Sequence, residues 1–445
     1  MPHFSLIAAA LAATTVVFSP AESSLDSAIN REMAGLVDAY KFLHAHPELS
    51  RREEKTASFL ASEFRSSGFD VTEHVGKWTQ PDVQAYGVVA LMKNGSGPLV
   101  MLRADMDALP VPEKTALPYA SRVMTTNENG EAVSVMHACG HDTHMTSLLG
   151  AARVLSRHKD RWHGTLMLLA QPAEERYDGA KAMLDEGLYE RFGKPDFAVA
   201  LHADAALEAG KIGFCEGYAL ANVNSVDLTI RGRGGHGAYP HLTKDPIVLA
   251  AEFIVAVQTI VSRENSPLDP AVITVGSIHG GSKHNVIPDE VQLQLTVRSY
   301  KEEVRARLLQ SIERVANGMA AAAGIPPERA PIFKVSDEIT PATYNNPELT
   351  RRLSETLRNT LGSENVVRRD PVMGGEDFGR FSLPDHSIPV ALFWLGAVDP
   401  VRMRQSREKN VPLPSLHSSE FAPLPEPTLR TGVTALTSMV LDLMK

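Results

Sequence analysis

Val223-Asn224-Ser225-Val226-Asp227-Leu228-Thr229-Ile230-Arg231 alternates apolar and polar side chains from Val226 onward, the period of a strand with one buried face. Runs of the same period lie at residues 272–278 and 291–299, and helical patterns fill 247–261 and 302–322. A last strand fits 331–335. Strand, helix, strand, strand, helix, strand is the order of a ferredoxin-like split unit, assigned to residues 219–334. On either side, strands at 99–102, 165–169 and 197–201 alternate with helices at 142–157 and 179–184, and 390–395 supplies another strand after the insertion. The fold class read from this is α/β. A discontinuous α/β domain, residues 22–218 and 335–445, receives an inserted α+β ferredoxin-like domain, residues 219–334.

The 445 residues suit two domains, and 43% hydrophobic with 22% charged side chains is the composition of a globular chain. Fifty-three acidic against 44 basic residues give a net charge of -9 with no long basic run, which argues against nucleic acid or anionic lipid as a partner. The apolar run at residues 6–18, followed by Ser19-Pro20-Ala21, reads as a signal peptide over residues 1–21. A secreted or periplasmic protein with no stable membrane span after processing is therefore expected, against the alternatives of an N-terminal extension or a retained anchor. Residues 247–261 form the longest apolar stretch elsewhere, interrupted by Glu252 and Gln258. Such a helix needs cover on two sides, a sheet on one and a partner subunit on the other, so a homodimer or higher homo-oligomer is expected.

Met136-His137-Ala138-Cys139-Gly140-His141-Asp142-Thr143-His144 packs three imidazoles, a thiol and a carboxylate into one short stretch. Cys139 and His141, two apart across a glycine, can point into one cavity and grip a borderline-soft metal. Asp142 reads as the N-cap of the following helix, and His137 and His144 as structural. Leu168-Leu169-Ala170-Gln171-Pro172-Ala173-Glu174-Glu175 is an apolar strand that ends at a proline and presents two adjacent carboxylates. One can ligate a metal while the other acts as general base toward water. His202 and His417 also follow apolar strands, where α/β sites lie. Cys139, His141, Glu175, His202 and His417 together supply ligands for two divalent ions sharing a bridge, with Zn, Mn, Co or Ni favoured over Mg or Ca. With only two cysteines, a Cys139–Cys215 disulfide is the competing use of the thiol.

Several further motifs carry a family resemblance. They are Phe42-Leu43-His44-Ala45-His46-Pro47-Glu48-Leu49-Ser50, Arg103-Ala104-Asp105-Met106-Asp107-Ala108-Leu109-Pro110, Gly234-Gly235-His236-Gly237-Ala238-Tyr239-Pro240-His241 and Gly374-Gly375-Glu376-Asp377-Phe378. With the two stretches above, the chain resembles the metal-dependent amidohydrolases of the aminoacylase and carboxypeptidase superfamily, in the branch of hippurate hydrolases and auxin-conjugate hydrolases. The resemblance implies that residues 22–218 and 335–445 form the catalytic metal-binding domain and 219–334 a lid or dimerisation domain. It implies a binuclear centre in which Cys139 bridges, and Glu174 as the base that passes a proton from water to the leaving amine. Arg103 stands where other members carry a ligating histidine, so His141 takes that duty and Asp105 becomes an orienting group. His236 is implied to reach a partner subunit's site and donate to the oxyanion, which requires a dimer. Asn285 and Arg298 resemble positions that hold the substrate carboxylate or carbonyl, and Glu376 either touches the substrate or serves a helix cap at Asp377. The implied activity is hydrolysis of N-acyl amino acids. A dipeptidase or carboxypeptidase with the same centre is the near alternative, and a binding protein without catalysis the distant one.

Overall fold

The computed structural model describes residues 25–80 and 83–445, so the signal segment read at 1–21 lies outside the described residues. The large sheet has eight strands, in the order Asp70–Val75, Gly87–Asn94, Gly164–Gln171, Leu99–Asp105, Phe197–Glu208, Val390–Val398, Ile212–Phe214 and Val366–Arg368. Its four central strands run parallel and are almost wholly buried, which explains why they read as apolar runs without alternation. Helices Leu25–Ala45, His141–Arg157 and Pro425–Leu443 cover one face through Leu36, Leu148 and Leu436. The helix Gly179–Asp185 and the 3-10 turn Asp377–Ser382 cover the other through Met183, Phe378 and Phe381. Parallel strands end at one edge, and that edge is where the polar side chains gather.

The second sheet is antiparallel, in the order Ala271–His279, Glu290–Ser299, Asn222–Arg231 and Ile332–Thr340. Helices Pro246–Thr259 and Glu302–Ala322 pack on one of its faces around Leu228, Phe253, Val257, Leu293 and Leu308. The strand expected at 331–335 runs on to Thr340, because a bulge opposite Asn224 and Val226 lets the pairing continue through polar residues. Asp245 caps the Pro246–Thr259 helix by accepting from the Ile247 N–H at 2.9 Å. That helix is covered on one side only: Ile247, Val248 and Val255 keep 43%, 53% and 72% of their surface exposed within the chain. Cys139 and Cys215 are both free and buried, so the disulfide alternative is not formed.

Candidate metal centre

The strand Leu99–Asp105 places alternate side chains on one face, so Arg103 and Asp105 point together beneath the sheet edge. Arg103 is fully buried, and its fork donates to Gln171 Oε1 at 2.8 Å, Asp105 Oδ2 at 2.6 Å, Glu376 Oε1 at 2.8 Å and Asp377 Oδ1 at 3.2 Å. Burial opposes ionisation of Asp105, but Arg103 beside it, with His141 and His144, holds its carboxyl well below the usual range. Burial pushes Asp377 the other way, up to about 7, against the pull of Arg103. Glu376 therefore sits inside this network. Its Oε1 also accepts from the Phe378 N–H at 2.8 Å, capping the turn Asp377–Ser382. The cap is at Glu376 itself, and of its two readings the helix cap is the one with a hydrogen bond.

Glu174 and Glu175 stand on a single 3-10 turn bracketed by two left-handed residues, Ala173 at φ +50° and Tyr177 at φ +57°. The carboxylate of Asp107 holds the turn by accepting from the Glu174 N–H at 3.1 Å and the Glu175 N–H at 3.0 Å. Burial drives the Glu174 carboxyl well above its ordinary value, and Glu376 and Glu175 add to it. The helix His141–Arg157 starts from Gly140, not from Asp142: Gly140 is the N-cap at φ +81°, and a Cβ there would lie 2.9 Å from that of Ala203. Asp142 is buried inside the first turn, where it meets His44 Nδ1 at 2.7 Å, and His44 Nε2 meets Glu113 at 3.1 Å. His144 has both ring nitrogens engaged, with Asp105 at 2.6 Å and the Ala203 N–H at 2.7 Å, as suits a structural residue.

Two groups of potential ligand atoms, Cys139 with His141 and His202, and Cys139 with Glu175 and His417, each lie within 4.8 Å of one another and share the thiol. Cys139 Sγ is 3.7 Å from His202 Nε2, and His417 Nε2 is 3.4 Å from Glu175 Oε1. The opposite nitrogens are tied down, His141 Nδ1 to the Asp107 carbonyl at 2.8 Å and His202 Nδ1 to the Ala203 carbonyl at 2.9 Å, which leaves each Nε2 free to ligate. His141 Nε2 and Glu175 Oε1 are buried without a hydrogen-bond partner. Burial works against charging His141, yet Asp105 and Asp107 carry its pKa up to about 10, and burial with Glu175 and Glu174 raises the Cys139 thiol. Two orphaned ligand atoms among crowded carboxylates fit divalent cations, which satisfy the former and neutralise the latter.

A cavity of about 730 Å³ opens beside this cluster, lined by Cys139, Glu174, Glu175, His202, Arg298 and His417. Its lining also includes the apolar side chains of Leu220, Val372, Trp394, Leu413 and Leu416. Arg298 reaches in from the second sheet and donates to the Met373 carbonyl at 2.8 Å. Asp105 and Glu376 are buried behind the cluster and do not line the cavity. His236 and Asn285 are brought together elsewhere, on the exposed ribbon where the Gly237 N–H donates to the Asn285 carbonyl at 2.9 Å, outside this cavity. Sequence reasoning assigned no role to Asp107, His44 or Tyr177. Period two from Arg103 through Asp107 was the available signal for the first, whereas the other two depend on contacts that spacing does not reveal.

The model of peptidase family M20/M25/M40 matches residues 101–418. Hippurate hydrolase of Campylobacter jejuni is 38% identical over 342 residues, 76% of this chain and 82% of that protein. Thermostable carboxypeptidase 1 of Saccharolobus solfataricus is 34% identical over 403 residues, 90% of this chain and 93% of that protein. The crystal structure of Bacillus subtilis YxeP, a dinuclear metal-binding peptidase of family M20, superposes with a TM-score of 0.72 at 26% identity, covering 93% of this chain and 99% of that one.

Proposed function

Because the chain belongs to peptidase family M20/M25/M40, we propose that it hydrolyses the amide bond of N-acyl amino acids, releasing a carboxylate and a free amino acid. The observation that carries this reading is the pair of ligand groups sharing Cys139, with Glu174 beside them and apolar side chains in the lining of the same cavity. Cys139, His141, Glu175, His202 and His417 would hold two divalent ions, of which Zn, Mn, Ni and Co suit the thiolate and imidazole donors. Such ions supply Lewis acidity to the carbonyl and acidify water. Glu174, fixed on its turn by Asp107, takes the proton from the attacking water on its carboxylate and returns it to the leaving nitrogen. Asp105 acts indirectly by anchoring His144 and Arg103 beneath the ligands. The apolar part of the lining receives the acyl group, and Arg298 faces the amino-acid half.

His236 and Asn285 serve a second subunit in this scheme, with His236 donating to the oxyanion of the partner's site, since neither lines the cavity of its own chain. The open apolar side of the Pro246–Thr259 helix is the pairing face that such a dimer needs. Residues 6–18 direct export, and the substrate is met outside the cytoplasm. A carboxypeptidase would use the same centre, and its relative at 34% identity makes it the second reading. Release of amino acid from benzoyl, acetyl and indoleacetyl conjugates and from plain dipeptides, with and without Mn²⁺ or Zn²⁺, separates the two. Metal-dependent cleavage of the acylated substrates is expected, and cleavage of dipeptides alone would replace this reading with the peptidase one.

A further inference from the structure

Tyr177 closes the turn that carries Glu174 and Glu175, with its N–H donating to the Glu174 carbonyl at 2.7 Å. Its φ of +57° is a conformation that an aromatic residue rarely adopts and that a glycine would adopt without strain. A bulky residue held there keeps its strain only where the surroundings impose it, and such outliers gather at functional sites. What the strain achieves is placement of the ring. Tyr177 lines the cavity with Glu174, Glu175, Cys139 and Arg298, and its hydroxyl has no hydrogen-bond partner among the described residues. Gly375 makes room for it: a Cβ there would lie 2.8 Å from Tyr177 Oη.

We propose that the Tyr177 hydroxyl donates a hydrogen bond to the α-carboxylate of the bound N-acyl amino acid, beside the Arg298 guanidinium. The electrostatics of the cavity decide which end of the substrate lies there. Glu174 and Glu175 bring negative charge to the lining, and Arg298 and Arg369 are its guanidinium cations; Arg369 is held by Asp204 at 2.9 Å, and Arg298 is the cation whose charge acts on the Tyr177 hydroxyl. An anionic end of the substrate is attracted to Arg298. Two donors lining one cavity then match the two oxygens of a carboxylate, with guanidinium and phenol each taking one. The inference rests on the N-acyl amino acid reading above and adds a determinant for a free carboxylate.

Tyr177→Phe removes one oxygen and keeps the ring. With N-benzoylglycine it is expected to raise KM about tenfold at unchanged kcat, the range for a hydrogen bond to a charged group. KM for N-benzoylglycinamide, which lacks the carboxylate, stays within about twofold. Calorimetric titration of both compounds into Glu174→Gln and Glu174→Gln/Tyr177→Phe protein reads the same preference without turnover. An equal loss on both compounds, a loss confined to kcat, no change on either, or no measurable binding of N-benzoylglycine to the Glu174→Gln protein overturns the proposal. Binding without hydrolysis by the wild-type protein would instead overturn the functional reading, and the titrations would still decide the role of Tyr177.

Discussion

Replacing His44 by Asn should abolish a pH dependence of stability that the wild-type protein shows on the alkaline side. His44 is buried between Asp142 and Glu113, at 2.7 Å and 3.1 Å. Burial alone would lower its pKa, but the hydrogen bonds to these two carboxylates raise it from 6.5 to about 9. A folded value above the unfolded one means that the stabilisation is complete below pH 6.5 and is lost as pH rises through about 9. The displacement from 6.5 to about 9 corresponds to about 3 kcal/mol at roughly 1.4 kcal/mol per pH unit. For a cooperative unit of roughly 300 residues, with an unfolding entropy of roughly 2 cal/mol/K per residue, that is about 5 °C in Tm. The assay is thermal unfolding of both proteins in chelator, so that proton release on metal binding does not enter, from about pH 6 to about pH 10. The wild-type advantage should be about 5 °C at the acid end and vanish at the alkaline end. Parallel curves, or an advantage that grows with pH, would refute the reasoning.

Arg103→Leu leaves Asp105, Glu376 and Asp377 buried without their cation, and should cost about 3–5 kcal/mol in chemical unfolding. A loss below about 1 kcal/mol would show that the network is not held by charge. His236→Ala should lower kcat by about 10²–10³-fold, the cost of an oxyanion donor. Mixing His236→Ala and Glu174→Gln subunits should restore about a quarter of wild-type activity through random pairing, because one site of each mixed dimer is whole. No recovery in mixed dimers would place His236 outside the partner's site. Val255→Asp puts a charge on the open face of the Pro246–Thr259 helix and should shift the protein to monomer in sedimentation, with the sheet beneath intact.

The split unit was legible because half-buried strands alternate and their helices do not, so the order from Asn222–Arg231 to Ile332–Thr340 follows from period alone. The parallel strands were legible for the opposite reason, as apolar runs between helices. Candidate ligands were visible too: Cys139 and His141 lie in a dense, oddly polar stretch that opens a helix, and Glu175 lies just past a strand end. Less visible was what holds them. Arg103 meets Glu376 and Asp377, and His44 meets Asp142, across separations that only the fold closes. The N-cap at Asp142 was misread because an acidic residue before a helical run suits a cap, and the tertiary partner His44 overrode that preference. Glu376 was ambiguous for the same reason, since a carboxylate after two glycines looks exposed until Arg103 is placed against it.

The central claim is that Glu174 moves the proton at a centre held by Cys139, His141, Glu175, His202 and His417. Metal content and turnover of Glu174→Gln, measured on one preparation beside the wild-type protein, test it most directly. The account predicts two ions per chain in both proteins and a fall in N-acyl amino acid hydrolysis of at least about 10²-fold in the variant. Undiminished turnover in Glu174→Gln, or full turnover by wild-type protein stripped of metal, would contradict it.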